Sequence, residues 1–197
     1  MHKAIFFDFY RTLSPSDYFR HLNQDQQTNI SKLVFSEAST HYWEWLRGEI
    51  RANDIAKLIG ENLSLTTEEV LSHFDFGCRR VELSPVLTDF AKSQRAAGVP
   101  VAIVTLNFDV FSEIIVPHLN LSERFDVIIN SADFGSSDKR ELFLEAMQRL
   151  GLGDDATDCL LIDDDSRWIE VFEDLGGKTK HFIGDEDFTE WLAQTTV

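Results

Sequence analysis

Four short runs along the chain are apolar throughout, rich in β-branched or aromatic residues, and followed by polar ones: Ala4-Ile5-Phe6-Phe7, Val99 to Val104, Val127-Ile128-Ile129, and Cys159 to Ile162. Unbroken apolar strands belong to a sheet covered on both faces, which means parallel strands joined by helical crossovers. The intervals between them show helical spacing. Val86 to Ala97 places Leu87, Phe90 and Ala91 on one face and stops at Gly98. Phe108 to Leu119 leads to the third run, Glu141 to Leu150 stops at Gly151, and Arg167 to Leu175 stops at Gly176-Gly177. Glycine just past a helical pattern is a common helix stop. A last short strand is expected at His181-Phe182-Ile183, followed by an amphipathic tail from Phe188 to Leu192. The alternation of strand, helix and stop predicts an α/β fold with a doubly wound parallel sheet.

The interval from Ser14 to Glu82 breaks this rhythm. It holds no strand pattern but several helical segments, at Ile30 to Leu46, Ala52 to Ile59 and Thr67 to Phe74, the last with Thr66 or Thr67 as N-cap and acidic residues in its first turn. An insertion of that size after the first strand reads as a separate helical layer. The chain is thus expected to divide into an α/β core, residues 1–14 and 83–197, and a helical insertion, residues 15–82. The aromatic group Tyr42, Trp43 and Trp45 reads as packing within that layer.

Composition narrows the partners. With 43% hydrophobic residues among 197, the chain can bury a sizeable core. Its 34 acidic against 18 basic side chains give a net charge of -16, which repels phosphate backbones and anionic lipid. Nucleic acid and membrane are not expected as partners, and no stretch approaches the ~18 apolar residues of a membrane span. A small anionic substrate remains compatible, since a local group of cations can reverse the sign inside one pocket. Two distant cysteines, Cys78 and Cys159, read as buried thiols, and with no secretory leader visible near Met1 a cytoplasmic location is expected.

In open parallel sheets, ligands lie beyond the carboxyl ends of the strands. There the sequence puts Asp8 after the first run, Thr105 after the second, Lys139 at a helix start after the third, and Asp163-Asp164-Asp165 at the end of the fourth. A carboxylate, a hydroxyl, an ammonium and a carboxylate cluster suit phosphoryl transfer: a nucleophile, a donor, a fixed cation, and oxygen ligands for a magnesium ion. Each alone has a plainer reading, as turn residue, strand-end hydroxyl, solvated helix start with Arg140 as rival cation, or helix-dipole partner.

The same residues carry a family resemblance. Phe6-Phe7-Asp8-Phe9-Tyr10-Arg11-Thr12-Leu13 resembles the first motif of the haloacid dehalogenase (HAD) superfamily, an apolar strand followed by Asp-x-Asp-Gly-Thr-Leu. Thr105, Lys139 and Leu161-Ile162-Asp163-Asp164-Asp165-Ser166 resemble the second, third and fourth motifs. The resemblance implies a Rossmann-like core with a small α-helical cap, Asp8 as the attacking nucleophile, and Thr105, Asn107, Lys139 and Arg11 as substrate-binding residues. It further implies Mg2+ held by Asp8, Asp164, Asp163 and the carbonyl of Tyr10. Two positions depart from the pattern. Tyr10 stands where the family's phosphatases carry a general acid, and is similar to the 2-haloacid dehalogenases, whose halide leaves without a proton. The triple Asp favours a metal-dependent phosphatase instead. A metal-independent dehalogenase, and a weakened member that binds a ligand or partner, stay open beside the phosphatase. Arg11 replaces the usual Gly, either as an anion clamp or pointing to solvent. Trp168 stands where many relatives have Asn.

Overall fold

A computed structural model describes residues 2–15, 18–19 and 21–195. Five parallel strands form one sheet: β1 (Ile5–Phe7), β2 (Val101–Thr105), β3 (Val127–Asn130), β4 (Leu160–Asp163) and β5 (Lys178–His181), in the order β3-β2-β1-β4-β5. Strand β1 sits in the middle, with Phe7 registered against Ile103 on one side and Ile162 on the other. Its side chains alternate between two apolar layers. Ile5 and Phe7 enter the larger one with Leu87, Phe111 and Phe125, whereas Ala4 and Phe6 enter the other with Phe143, Leu161 and Phe172. The doubly wound parallel sheet expected from the sequence is therefore the observed one.

The last strand is a correction. It runs over Lys178–His181, so that only His181 of the expected segment belongs to it, and Phe182 and Ile183 lie beyond its end. Polar and basic residues on an edge strand protect the side that has no partner. Here Lys178 and Lys180 occupy that position, and no apolar run marks it. Ile183 is 71% exposed.

Four helices fill the long crossover after β1: α1 (Gln24–Val34), α2 (Thr40–Leu46), α3 (Ala52–Leu63) and α4 (Thr67–Cys78). Asn23 caps α1 and Thr66 caps α4, each in a reciprocal arrangement with the side chain three residues on. The expected continuous helix from Ile30 to Leu46 is broken after Val34. Serine competes with the helical ladder by bonding backbone locally: Ser39 Oγ donates to the Leu33 carbonyl at 2.8 Å, and Ala38 N–H donates to Ser36 Oγ. The layer shares one apolar cluster with the sheet through Trp45, which stacks on Phe108 at 4.0 Å. Gly48 lets it approach closely, because a Cβ there would sit 2.1 Å from the Ala132 carbonyl oxygen. Helix α5 (Pro85–Ala96) then returns the chain to β2. The two ends of the crossover meet where Ser84 N–H donates to the Leu13 carbonyl at 2.8 Å. Among the described residues no helix is long and apolar enough to cross a membrane.

Candidate active site

The carboxyl ends of β1 and β4 lie side by side because those strands pair in parallel, which sets Asp8 beside Asp163. Asp8 N–H extends the ladder by donating to the Ile162 carbonyl. Lys139, the first residue of the helix Lys139–Arg149, reaches between the two carboxylates. Its Nζ donates to Asp8 Oδ1 at 2.7 Å and to Asp163 Oδ2 at 2.6 Å, and its side chain is 1% exposed. Arg140 is exposed, and the cation between the two carboxylates is Lys139.

Carboxylate oxygens of Asp8, Asp163 and Asp164 lie within 4.8 Å of one another. Three carboxylates thus face one ammonium, and burying uncompensated charge is costly. Burial pushes the Asp8 carboxyl up to about 7, Lys139 opposing and Asp163 adding to the rise. For Lys139, burial alone would lower the ammonium; the charges of Asp8 and Asp163 outweigh it and hold the group above its ordinary value. Burial likewise raises Asp164, whose Oδ1 accepts from Thr12 Oγ1 at 3.2 Å. The donor set is three hard oxygens with an excess of negative charge, which fits a small divalent cation such as magnesium.

The three acidic neighbours do different work. Asp163 is fully engaged, since its other oxygen accepts from Asp165 N–H. Asp165 caps the helix Ser166–Asp174 and pairs with Arg167, so here the plain reading of an acidic helix start is correct. Asp164 is half-buried and turns toward the cavity.

A cavity of about 380 Å³ opens in front of this cluster, between the strand ends and helices α1 and α2. Tyr10, Arg11, Asn107 and Trp168 line it. Asn107 Oδ1 accepts from Tyr18 Oη at 2.5 Å and from Phe108 N–H, whereas its Nδ2 is buried without a partner. The Thr105 hydroxyl is also buried and unpartnered, but Thr105 stands behind the wall, one residue further along β2 than the position beside Asp8. Arg11 has φ 63°, a left-handed conformation that favours glycine, and its guanidinium lies 5.3 Å from the Tyr10 ring centroid. It is exposed and stands on the cavity rim. Trp168 covers Lys139, with Nζ 5.6 Å from its ring centroid; a cation–π contact stands there in place of a polar partner.

The aromatic group of the helical layer divides. Trp45 is fully buried and its Nε1 donates to Asp109 Oδ1 at 2.6 Å, as packing requires. Tyr42 and Trp43, by contrast, are half-buried and face the cavity. Two residues that the sequence did not single out matter here. Asp109 is 1% exposed and also accepts from Ala52 N–H, tying the helical layer to the loop after β2. Tyr18 orients the Asn107 amide. An Asp shortly after a strand end was the available signal for the first; nothing marked the second.

Comparison with known proteins bears on the family and the fold. A family model of the haloacid dehalogenase-like hydrolases matches residues 2–176. A HAD family enzyme of Bacteroides thetaiotaomicron, in complex with magnesium and inorganic phosphate, superposes with TM-score 0.70 at 14% identity, covering 91% of this chain and 93% of its own. A HAD-like family hydrolase of Porphyromonas gingivalis gives 0.68 at 18%, with coverages of 91% and 90%. L-2-haloacid dehalogenase of Xanthobacter autotrophicus gives 0.64 at 15%, with 91% and 76%. At these identities the likeness is one of fold. No curated protein matches the sequence.

Proposed function

The chain belongs to the haloacid dehalogenase-like hydrolases, and within that family we propose that it is a magnesium-dependent phosphatase acting on a small phosphorylated metabolite. The observation that carries the reading is the three-carboxylate cluster of Asp8, Asp163 and Asp164 around a single lysine. A dehalogenation site has no use for that excess of negative charge. A divalent cation neutralises it and, when bound, draws charge from the oxygens of a transferring phosphoryl group. The ligands would be Asp8, Asp164 and the Tyr10 carbonyl, with Asp163 contributing charge while it holds Lys139.

In this reading the free oxygen of Asp8 attacks phosphorus, giving an aspartyl phosphate that water then hydrolyses. Lys139 keeps Asp8 oriented and offsets charge on the phosphoryl oxygens. The unpartnered Asn107 Nδ2 donates to a phosphoryl oxygen, and the Thr105 hydroxyl becomes a donor if the phosphoryl group settles against the end of β2. Residues 15–82 form a cap over residues 1–14 and 83–197, supplying substrate contacts and excluding water. Arg11 clamps an anionic group at the rim.

A second reading, metal-independent 2-haloacid dehalogenase, draws on Tyr10, a residue that brings no carboxylic acid to the leaving group. The purified protein, with and without magnesium, on 4-nitrophenyl phosphate and on 2-chloropropionate separates the two. Phosphate release that needs both magnesium and Asp8 is the expected result. Halide release without metal would transfer the assignment to the dehalogenase.

A further inference from the structure

Resting on the phosphatase reading, we propose that the substrate is an aryl phosphate, the phosphate monoester of a flat compound with an acidic, phenol-like hydroxyl. Two independent observations point there, one from the acids of the cavity and one from its walls.

Among the described residues lining the cavity, no carboxylic acid is left to protonate a departing oxygen. Asp163 is bonded to Lys139 and to Asp165 N–H. Asp165 and Glu37 both pair with Arg167. Asp164 accepts from Thr12, and with Asp8 it faces the metal position. No histidine lines the cavity. What remains are Lys139, buried in two ion pairs, and phenols, of which Tyr18 already donates to Asn107. A phenol has a pKa of ~10 and is a poor acid at neutral pH.

With no such acid among the described residues, the leaving group in this proposal departs as an anion. An alkoxide, derived from an alcohol about as acidic as water at ~15.7, departs badly. A phenoxide is about six pKa units more stable. The step balances without a proton: the Asp8 oxygen–phosphorus bond forms, the phosphorus–aryl oxygen bond breaks, and the aryloxide keeps the electron pair. Water then attacks phosphorus, the Asp8 carboxylate leaves, and the water proton passes to phosphate or solvent.

The walls match such a body. Tyr42 and Trp43 meet edge to face at 5.0 Å, Tyr42 contacts Phe108 at 5.9 Å, and the Trp168 ring carries Arg167 at 5.4 Å. Half-buried rings facing a space of about 380 Å³ form a slot for a ring.

The test is a leaving-group series on the magnesium-loaded full chain: substituted phenyl phosphates, acetyl phosphate and glycerol phosphate. Expected are a steep fall of kcat/KM with rising leaving-group pKa and a loss of about a hundredfold or more for glycerol phosphate, the scale of a missing general acid. Acetyl phosphate, acidic but without a ring, should keep kcat and show a raised KM. A Tyr10→Asp variant should flatten the dependence by accelerating glycerol phosphate. Glycerol phosphate turned over within a few-fold of phenyl phosphate would overturn the proposal while leaving the phosphatase reading intact. No phosphate from any member of the series, with halide released from 2-chloropropionate, would remove both. Trp43→Ala provides a separate measurement: KM should rise for phenyl phosphates and not for acetyl phosphate, and an equal rise for both would count against the slot.

Discussion

The two sides of the cavity are built on opposite plans. On the sheet side, Asp8, Lys139 and Asp163 are buried, with both carboxylates bonded to the lysine and each residue fixed by the strand or helix end that bears it. On the helical side, Tyr42 and Trp43 are half-buried rings, and an ion pair at the cavity that joins the two sides, Glu37 with Arg167, is exposed at 3.3 Å. A site that must hold reacting atoms to fractions of an ångström belongs on rigid elements with satisfied partners. A surface that selects among substrates tolerates looser packing. Under the proposed function, rate would rest with the sheet side and recognition with the helical side.

The sharpest way to break that division is Asp8→Asn. It should lower kcat by about a thousandfold or more with the fold intact, since losing a nucleophile removes an interaction made only in the reaction; steady-state kinetics beside circular dichroism decide it. Residual activity near the native level would move the nucleophile elsewhere. Next in size is Lys139→Met, which leaves Asp8 and Asp163 buried without a cation and should cost about 3 kcal/mol or more of stability in urea unfolding. A neutral outcome would mean the carboxylates are already relieved by other means.

The pH dependence of the metal-free protein is a smaller effect with a definite sign. Asp8 is raised from its ordinary 3.8 to about 7, so between those values the folded state holds a proton that the unfolded chain has lost. Stability should fall as pH rises through that window and level off above it. Magnesium competes with the proton, so its thermal shift should be larger at pH 8 than at pH 5. A shift independent of pH would separate the cation from Asp8. The smallest effect is expected at the rim, where Glu37→Gln removes an exposed pair worth under ~1 kcal/mol. It should change KM more than kcat; the reverse would place that pair in the rate-determining machinery.

What could be read from the sequence followed burial. Strands β1, β2 and β4 lie inside the sheet, are buried along their length and announce themselves as apolar runs, as does β3 at one edge, where Val127 and Ile128 are half-buried; the polar residues at the ends of the first, second and fourth runs mark Asp8, Thr105 and Asp163. Strand β5 lies at the other edge, and there Lys178 and Lys180, residues of the kind that protect an edge, hide it from a hydrophobic pattern. The break between α1 and α2 has no glycine or proline to signal it, only serines whose side chains find backbone partners. Asp109 and Tyr18 were out of reach for a different reason. A buried polar group declares its purpose only with its partner, and theirs are Trp45, 64 residues away, and Asn107, 89 residues away. The unpartnered amide nitrogen in the wall, Asn107 Nδ2, and the unpartnered hydroxyl behind it, Thr105 Oγ1, are visible only once the packing around them is known.

The hydrogen bond from Ser84 to Leu13 has a consequence for how such a chain diversifies. Because the helical insertion leaves and re-enters the sheet at one spot, its length can grow or shrink at a loop-closure cost that rises only logarithmically, and the register of β1 against β2 does not depend on what is hung there. The insertion can therefore vary while the sheet stays the same. The exchange is not free in this chain: Trp45 stacks on Phe108, and any replacement insertion must cover that ring or leave it to water.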